Sequence, residues 1–181
     1  MKIVMLEGSP HKTGTTKQLA IQFRKGAEEA GHIVEELDIG NADIKPCMSC
    51  GNCSMTGNCV TEDDIIYLKD KILSCDMLVF VTPVFYYGMT AQLKTLVDRF
   101  YSFNTELVGK KLKSCLLAAA FDENPKTVEP LKAHYSSLCE YLGFKDKGSV
   151  LAYGCGTPSM MQWTDFPKKA YELGKSLRQI P

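Results

Sequence analysis

The segment Asp76–Phe100 reads "DMLVFVTPVFYYGMTAQLKTLVDRF". Near its start Met77–Val81 is an unbroken apolar run of strand length, as expected of a strand buried on both faces. Pro83 and Gly88 shape a turn. Beyond it Met89, Leu93, Leu96, Val97 and Phe100 recur on one stripe of a helix. Strand, short loop and amphipathic helix together form the unit from which parallel sheets are built.

The unit repeats on either side. "KIVMLEG" (Lys2–Gly8) reads as a buried strand, followed by a helix from about Thr15 or Thr16 to Gly31, with Leu19, Phe23, Ala27 and Ala30 on one face. "HIVEELDI" alternates like a strand with one exposed face. Acidic residues in "TEDD" open a second helix carrying Ile65, Leu68 and Ile72. "SCLLAAAF" is a fourth strand; Val128, Leu131, Tyr135, Leu138 and Leu142 mark its helix. "KGSVLAYG" is a fifth strand and "FPKKAYELGKSLRQI" a last helix. Five strands alternating with five helices predict an α/β fold. The expected form is a doubly wound, five-stranded parallel sheet of order 2-1-3-4-5 with helices on both faces. Residues 1–181 read as one domain, with a cysteine-rich loop at about 45–62.

Composition narrows the function. Hydrophobic residues are 45% and charged residues 23%, and 21 basic residues balance 21 acidic ones. No basic excess points to nucleic acid or to an anionic membrane, so a small molecule is the expected ligand. The N-terminus has neither a secretory apolar region nor a membrane span. A cytoplasmic protein with reduced thiols is expected.

In a sheet of this order the ligand crevice lies beyond the carboxyl ends of strands one and three. That selects two loops. The first, "GSPHKTGTT" (Gly8–Thr16), joins strand to helix with glycines, hydroxyls and free helix-start amides, a set suited to a phosphate. Five residues separate Gly8 from Gly14 and Thr15 stands where a Walker A lysine would, so it is not a P-loop. Nor is it a G-x-G-x-x-G dinucleotide loop. A Ser/Thr-rich turn that only caps the helix is the plainer alternative. The second loop carries three consecutive aromatics, Phe85, Tyr86 and Tyr87. They suit a planar ring, although at least one is expected to pack beneath the loop or at a subunit interface. Phosphate and flat ring in adjacent loops suggest FMN.

Together "GSPHKTGTT" and "TPVFYYGMTAQLKTLVDR" resemble the NADPH-dependent FMN reductases of the flavodoxin-like superfamily. "CMSCGNCSMTGNCVTEDDI" is similar to the cysteine motif of their iron–sulfur flavoprotein branch. The resemblance implies that Ser9, His11, Thr13, Gly14, Thr15 and Thr16 hold the phosphate. It implies that Pro83, Val84, Phe85, Tyr86, Tyr87 and Gly88 border the ribityl chain and flavin. The family often has Arg at the position of His11 and Asn at that of Thr15, so a permanent charge is missing here. A third flavin contact is expected near residues 119–122, where no distinctive motif stands.

Cys47, Cys50, Cys53 and Cys59 have the spacing C-x2-C-x2-C-x5-C. Three thiolates so close can wrap one corner of a compact cluster, and the pattern is similar to half of a 4Fe–4S site. Structural zinc usually takes two separated C-x2-C knuckles. Four free thiols in a loop, for redox exchange or packing, are the remaining alternative. Cys75, Cys115 and Cys139 read as structural, while Cys155 lies near the crevice. His32 and His134 read as structural or surface residues, Trp163 as a cover for the site or an interface, and the Lys/Glu pairs as solvated faces.

The resemblance implies that NAD(P)H, as co-substrate, gives a hydride to FMN. The electrons then pass to a quinone, a free flavin, another small acceptor or the cluster. No protein acid or base is assigned. An electron carrier fed by a ferredoxin-like redox protein is a second reading, with a 4Fe–4S cluster as its discriminating feature. A non-catalytic flavin-binding module is a third. A homodimer or homotetramer with FMN near the interface is also implied.

Overall fold

The computed structural model describes residues 1–177. Its strands are β1 (Lys2–Glu7), β2 (Ile33–Asp38), β3 (Met77–Pro83), β4 (Lys113–Ala119) and β5 (Lys145–Ala152). They form one parallel sheet in the order β2-β1-β3-β4-β5. The helices are α1 (Thr15–Glu29), α2 (Asn52–Thr56), α3 (Ile65–Leu73), α4 (Ala91–Arg99), α5 (Asn104–Lys110), α6 (Glu129–Leu142), α7 (Pro158–Gln162) and α8 (Phe166–Ser176). The end of the expected last helix, past residue 177, lies outside the described residues.

Strand period 2 divides the core between the two faces of the sheet. Val4, Leu6, Leu78 and Phe80 meet Leu68, Ile72, Leu93, Leu96, Leu131 and Tyr135 from α3, α4 and α6. Ile3, Met5, Met77 and Val79 meet Leu19, Phe23 and Ala170 from α1 and α8. The apolar runs of β1 and β3 are therefore buried on both sides. Burying a side chain such as Leu19 or Phe80 stabilises the fold by about 1.5–3 kcal/mol before entropy is counted.

Three short helices depart from the expected five. Glycines in left-handed geometry, Gly51 (φ +74°) and Gly57 (φ +76°), bracket α2, so the cysteine loop holds a helical turn. Met89 lies ahead of α4 rather than on it, yet it is buried.

Register brings the carboxyl ends of β1 and β3 side by side, with Glu7 opposite Val81. The ladder continues one step, Gly8 N donating to Val81 O at 2.8 Å. A Cβ on Gly8 would lie 2.7 Å from Leu93 Cβ, so only glycine lets the chain leave β1 against α4.

Candidate functional site

The loop after β1 ends on Gly14, the N-cap of α1, which has no side chain to cap the helix. The amides of Thr15 and Thr16 have no backbone acceptor. The hydroxyls of Thr13, Thr15 and Thr16 also lack partners among the described residues. Ser9 is partly engaged, its Oγ accepting from His11 N at 3.2 Å, and the His11 ring is exposed. Lys17, the next cation, is committed: Nζ lies 2.8 Å from Glu7 and 2.7 Å from Glu36. Burial would lower the Lys17 pKa, but these two carboxylates hold it above its ordinary value. This half-buried triad is not the solvated face expected of Lys/Glu pairs. An anion here would be met by hydroxyls, amides and the positive end of a 15-residue helix. The donor set fits a phosphate monoester.

Pro83 closes β3, and Val84 packs against the core. From there the chain turns back in a two-residue hairpin. Phe85 and Gly88 exchange backbone hydrogen bonds, each 3.0 Å long. Tyr86 (φ +47°) and Tyr87 (φ +66°) occupy the two central positions, a left-handed pair that normally takes Asn or Gly. Phe85, Tyr86 and Tyr87 are 51%, 101% and 57% exposed, so within this chain none packs beneath the loop as expected. Two of these three solvated aromatics, Tyr86 and Tyr87, stand on left-handed backbone, and all three leave their rings open to a flat partner. Replacing both Tyr86 and Tyr87 by glycine is expected to leave the melting temperature unchanged or raised, because the strain is relieved and little packing is lost. FMN affinity should fall about tenfold, the worth of roughly one ring contact. A flavin-fluorescence titration beside a thermal melt checks both halves.

Thr82 and Thr90, which the sequence reading passed over, join the two loops. Both are fully buried. Thr90 Oγ1 donates to Gly8 O at 2.7 Å, and Thr90 N donates to Thr82 Oγ1 at 3.1 Å. Thr90 also caps α4, so a Thr ahead of "AQLKTLV" was the available signal. Further along the sheet edge, exposed Phe121 lies over Gly156, within residues 119–122 where the third contact is expected. Trp163 is 91% exposed. Cys155 is buried with its thiol on Tyr153 O, which fits packing rather than redox exchange.

Cys47, Cys50, Cys53 and Cys59 line one cavity of about 530 Å³ with Asp98, Arg99 and Tyr101. Among the described residues no three Cys, His, Asp or Glu side chains are placed to hold a single ion. A cubane binds each thiolate through a different iron, so its ligands need a common cavity rather than a common centre. The donor set and the cavity fit a cluster of that kind. Arg99, missed by sequence reasoning, is 1% exposed and pairs with the buried Asp63 through Nη1 at 2.6 Å and Nη2 at 3.2 Å. Its Nη2 also donates to Cys59 Sγ at 3.3 Å. Burial would raise the Cys59 thiol, but bonds with Thr61 and the Arg99 charge bring it below its ordinary value.

The other four cysteines are buried. Burial pushes Cys75 up to about 11 and raises Cys115, Cys139 and Cys155. In iron-free native protein, a thiol reagent is expected to titrate four cysteines quickly and all eight only after unfolding.

Comparison with known proteins bears on the family and the fold. The family model for NADPH-dependent FMN reductase matches residues 1–125. An iron-sulfur flavoprotein of Archaeoglobus fulgidus is 30% identical over 181 residues, covering 99% of this chain and 80% of the relative. An iron-sulfur flavoprotein of Methanocaldococcus jannaschii is 31% identical over 99 residues, 55% of this chain and 51% of the relative. The chain thus spans about half the length of that second relative. Among solved structures, an NAD(P)H:quinone oxidoreductase from Methanothermobacter marburgensis superposes with a TM-score of 0.79 at 18% identity, covering 100% of this chain and 98% of that one. At that identity the likeness concerns the fold. Among the described residues no helix is long and apolar enough to cross a membrane.

Proposed function

The chain belongs to the NADPH-dependent FMN reductase family, in its iron–sulfur flavoprotein branch, and from that premise we propose that it uses FMN to carry electrons from NAD(P)H to a small acceptor such as a quinone or a flavin. One observation carries the reading: the loop that leads to the unpartnered donors of α1 is tied at Gly8 to Thr90, and Thr90 to Thr82, so it shares an anchor with the loop that carries the solvated Phe85, Tyr86 and Tyr87. FMN supplies the hydride and electron transfer when bound.

The protein's own residues bind and orient. Thr13, Thr15 and Thr16, with the amides of α1, would hold the phosphate. The hairpin would border the ring and keep water from one side of it. No side chain in the crevice is assigned a proton transfer. Anaerobic stopped-flow mixing of the FMN-loaded protein with NADPH and then NADH tests the reading. Loss of the flavin absorbance with at least one donor is expected, and none with either would overturn it.

A second element rests on the cysteine cavity, where four free thiols face one space. Cys47, Cys50, Cys53 and Cys59 would hold a 4Fe–4S cluster that exchanges single electrons with FMN and with a small or ferredoxin-like partner. Protein purified without oxygen should contain about four irons and as many acid-labile sulfides per chain. A clean flavin spectrum without iron would return the four cysteines to free thiols. A homodimer or homotetramer covering the exposed aromatics completes the reading, and light scattering of the FMN-loaded protein measures it.

A further inference from the structure

Arg99 stands where both ends of the cysteine segment meet. Nη1 donates to Lys45 O at 2.8 Å, ahead of Cys47. Nη2 reaches Thr61 O at 3.5 Å, past Cys59, and the same nitrogen donates to Cys59 Sγ at 3.3 Å. Asp63, whose side chain is fully buried, takes both guanidinium nitrogens and accepts from Lys45 N at 2.9 Å and Ile65 N at 3.1 Å. Asp43 N on Asp64 Oδ2 and Asp64 N on Asp43 O close the neck below. One guanidinium therefore shuts the base of the loop and singles out one of its four thiols.

A second observation is independent of these bonds. Arg99 Nε is the one buried side-chain nitrogen or oxygen without a partner among the described residues. A buried donor left unpaired is costly. Arg99 is thus held at the wall of the cysteine cavity through its Nη1 and Nη2 bonds alone.

We propose that Arg99 is the positioning and tuning residue of the iron–sulfur site: it fixes Cys59 as a ligand and, through its N–H···S bond, raises the site's one-electron reduction potential. This rests on the reading that the four cysteines hold a cluster. The cause is electrostatic. Reduction adds one electron, and so negative charge, to the cluster and its sulfurs. A donor aimed at a sulfur favours the reduced form. Cys47, Cys50 and Cys53 have no such donor among the described residues, so the bond makes Cys59 unequal to them.

The test uses the FMN-loaded protein purified without oxygen. Arg99→Lys keeps the charge but cannot reach Cys59, Asp63 and Lys45 together. The paired change Arg99→Gln with Asp63→Asn leaves the net charge unchanged and strands no buried ion. Iron, FMN and melting temperature are measured first, then the cluster potential by redox titration followed by electron paramagnetic resonance. Expected is wild-type iron with, in the paired variant, at least a tenfold fall in the reduced-to-oxidised ratio at fixed potential, about 59 mV for one electron. Arg99→Lys should fall between. Loss of iron alone, with FMN and melting kept, would also support the positioning role. Unchanged potentials with iron retained would overturn the proposal and leave the cluster standing. Loss of iron, FMN and fold together would reduce Arg99 to a structural residue and overturn it too. A wild-type protein without iron would instead overturn the cluster reading, and this inference with it.

Discussion

Thr15→Asp is expected to weaken FMN binding by about 100-fold or more, equivalent to roughly 2.7 kcal/mol. Thr15 is the first residue of α1, and its amide and hydroxyl are both unpartnered in the free chain. A carboxylate placed there takes up the donors that a phosphate would use and repels the phosphate as well. The same carboxylate is favourable to the helix, by about 0.3–1 kcal/mol, because it sits at the positive end of the dipole. Binding and stability should therefore separate: FMN is lost while the melting temperature of the flavin-free protein holds or rises. Thr15→Ser, which keeps the hydroxyl, should bind within about threefold of the original, the change left when a donor is kept. Fluorescence titration with both variants decides it. An aspartate variant that binds FMN normally would show that the phosphate lies elsewhere.

Gly26→Ala should lower stability by about 2 kcal/mol, overpacking of about 3 kcal/mol being partly offset by a gain of about 1 in helix propensity. Helices α1 and α8 cross with their backbones in contact. A Cβ on Gly26 would lie 2.1 Å from Tyr171 O, and one on Gly174 would lie 2.1 Å from Phe23 O. Both obstacles are backbone carbonyls, which cannot swing aside like a side chain, so the helices must part. For a chain of 181 residues, that corresponds to a melting temperature lower by about 4–8 °C. Because α1 carries at its start the unpartnered donors proposed to hold the phosphate, FMN affinity should fall in the same variant. Urea unfolding with and without FMN measures both. A variant as stable as the original would mean that the helices do not touch at Gly26.

The order of elements could be read directly because each carries its own local period. Met77–Val81 is apolar without alternation, and Leu93, Leu96 and Val97 return at helical spacing. Such patterns survive any packing arrangement. Right-handed crossovers then left few ways to order the strands, and β2-β1-β3-β4-β5 is the one observed. The loops after β1 and β3 were legible for a related reason. Glycines, hydroxyls and three adjacent aromatics are unusual at strand ends, and the strand order places those ends together.

Other features depend on neighbours far along the chain. Helix α2 has only five residues and no apolar stripe, so nothing in its local pattern announces it. Asp63 looked like an acidic residue opening a helix. It does accept from Ile65 N, but it is also buried beneath Arg99, 36 residues away. Arg99 itself looked like the basic end of an amphipathic helix, where a guanidinium normally reaches solvent. Lys17 looked like a surface lysine until β1 and β2 placed Glu7 and Glu36 on either side of it. The close crossing at Gly26 and Gly174 likewise needs both helices docked before either glycine has a reason. By itself the sequence determined the strands, the main helices, their order and the crevice loops, since periodicity and turn chemistry are local. The buried ion pair, the shared cysteine cavity and the committed lysine were decided only by the tertiary structure, because a charge or a thiol takes its role from what long-range folding puts beside it.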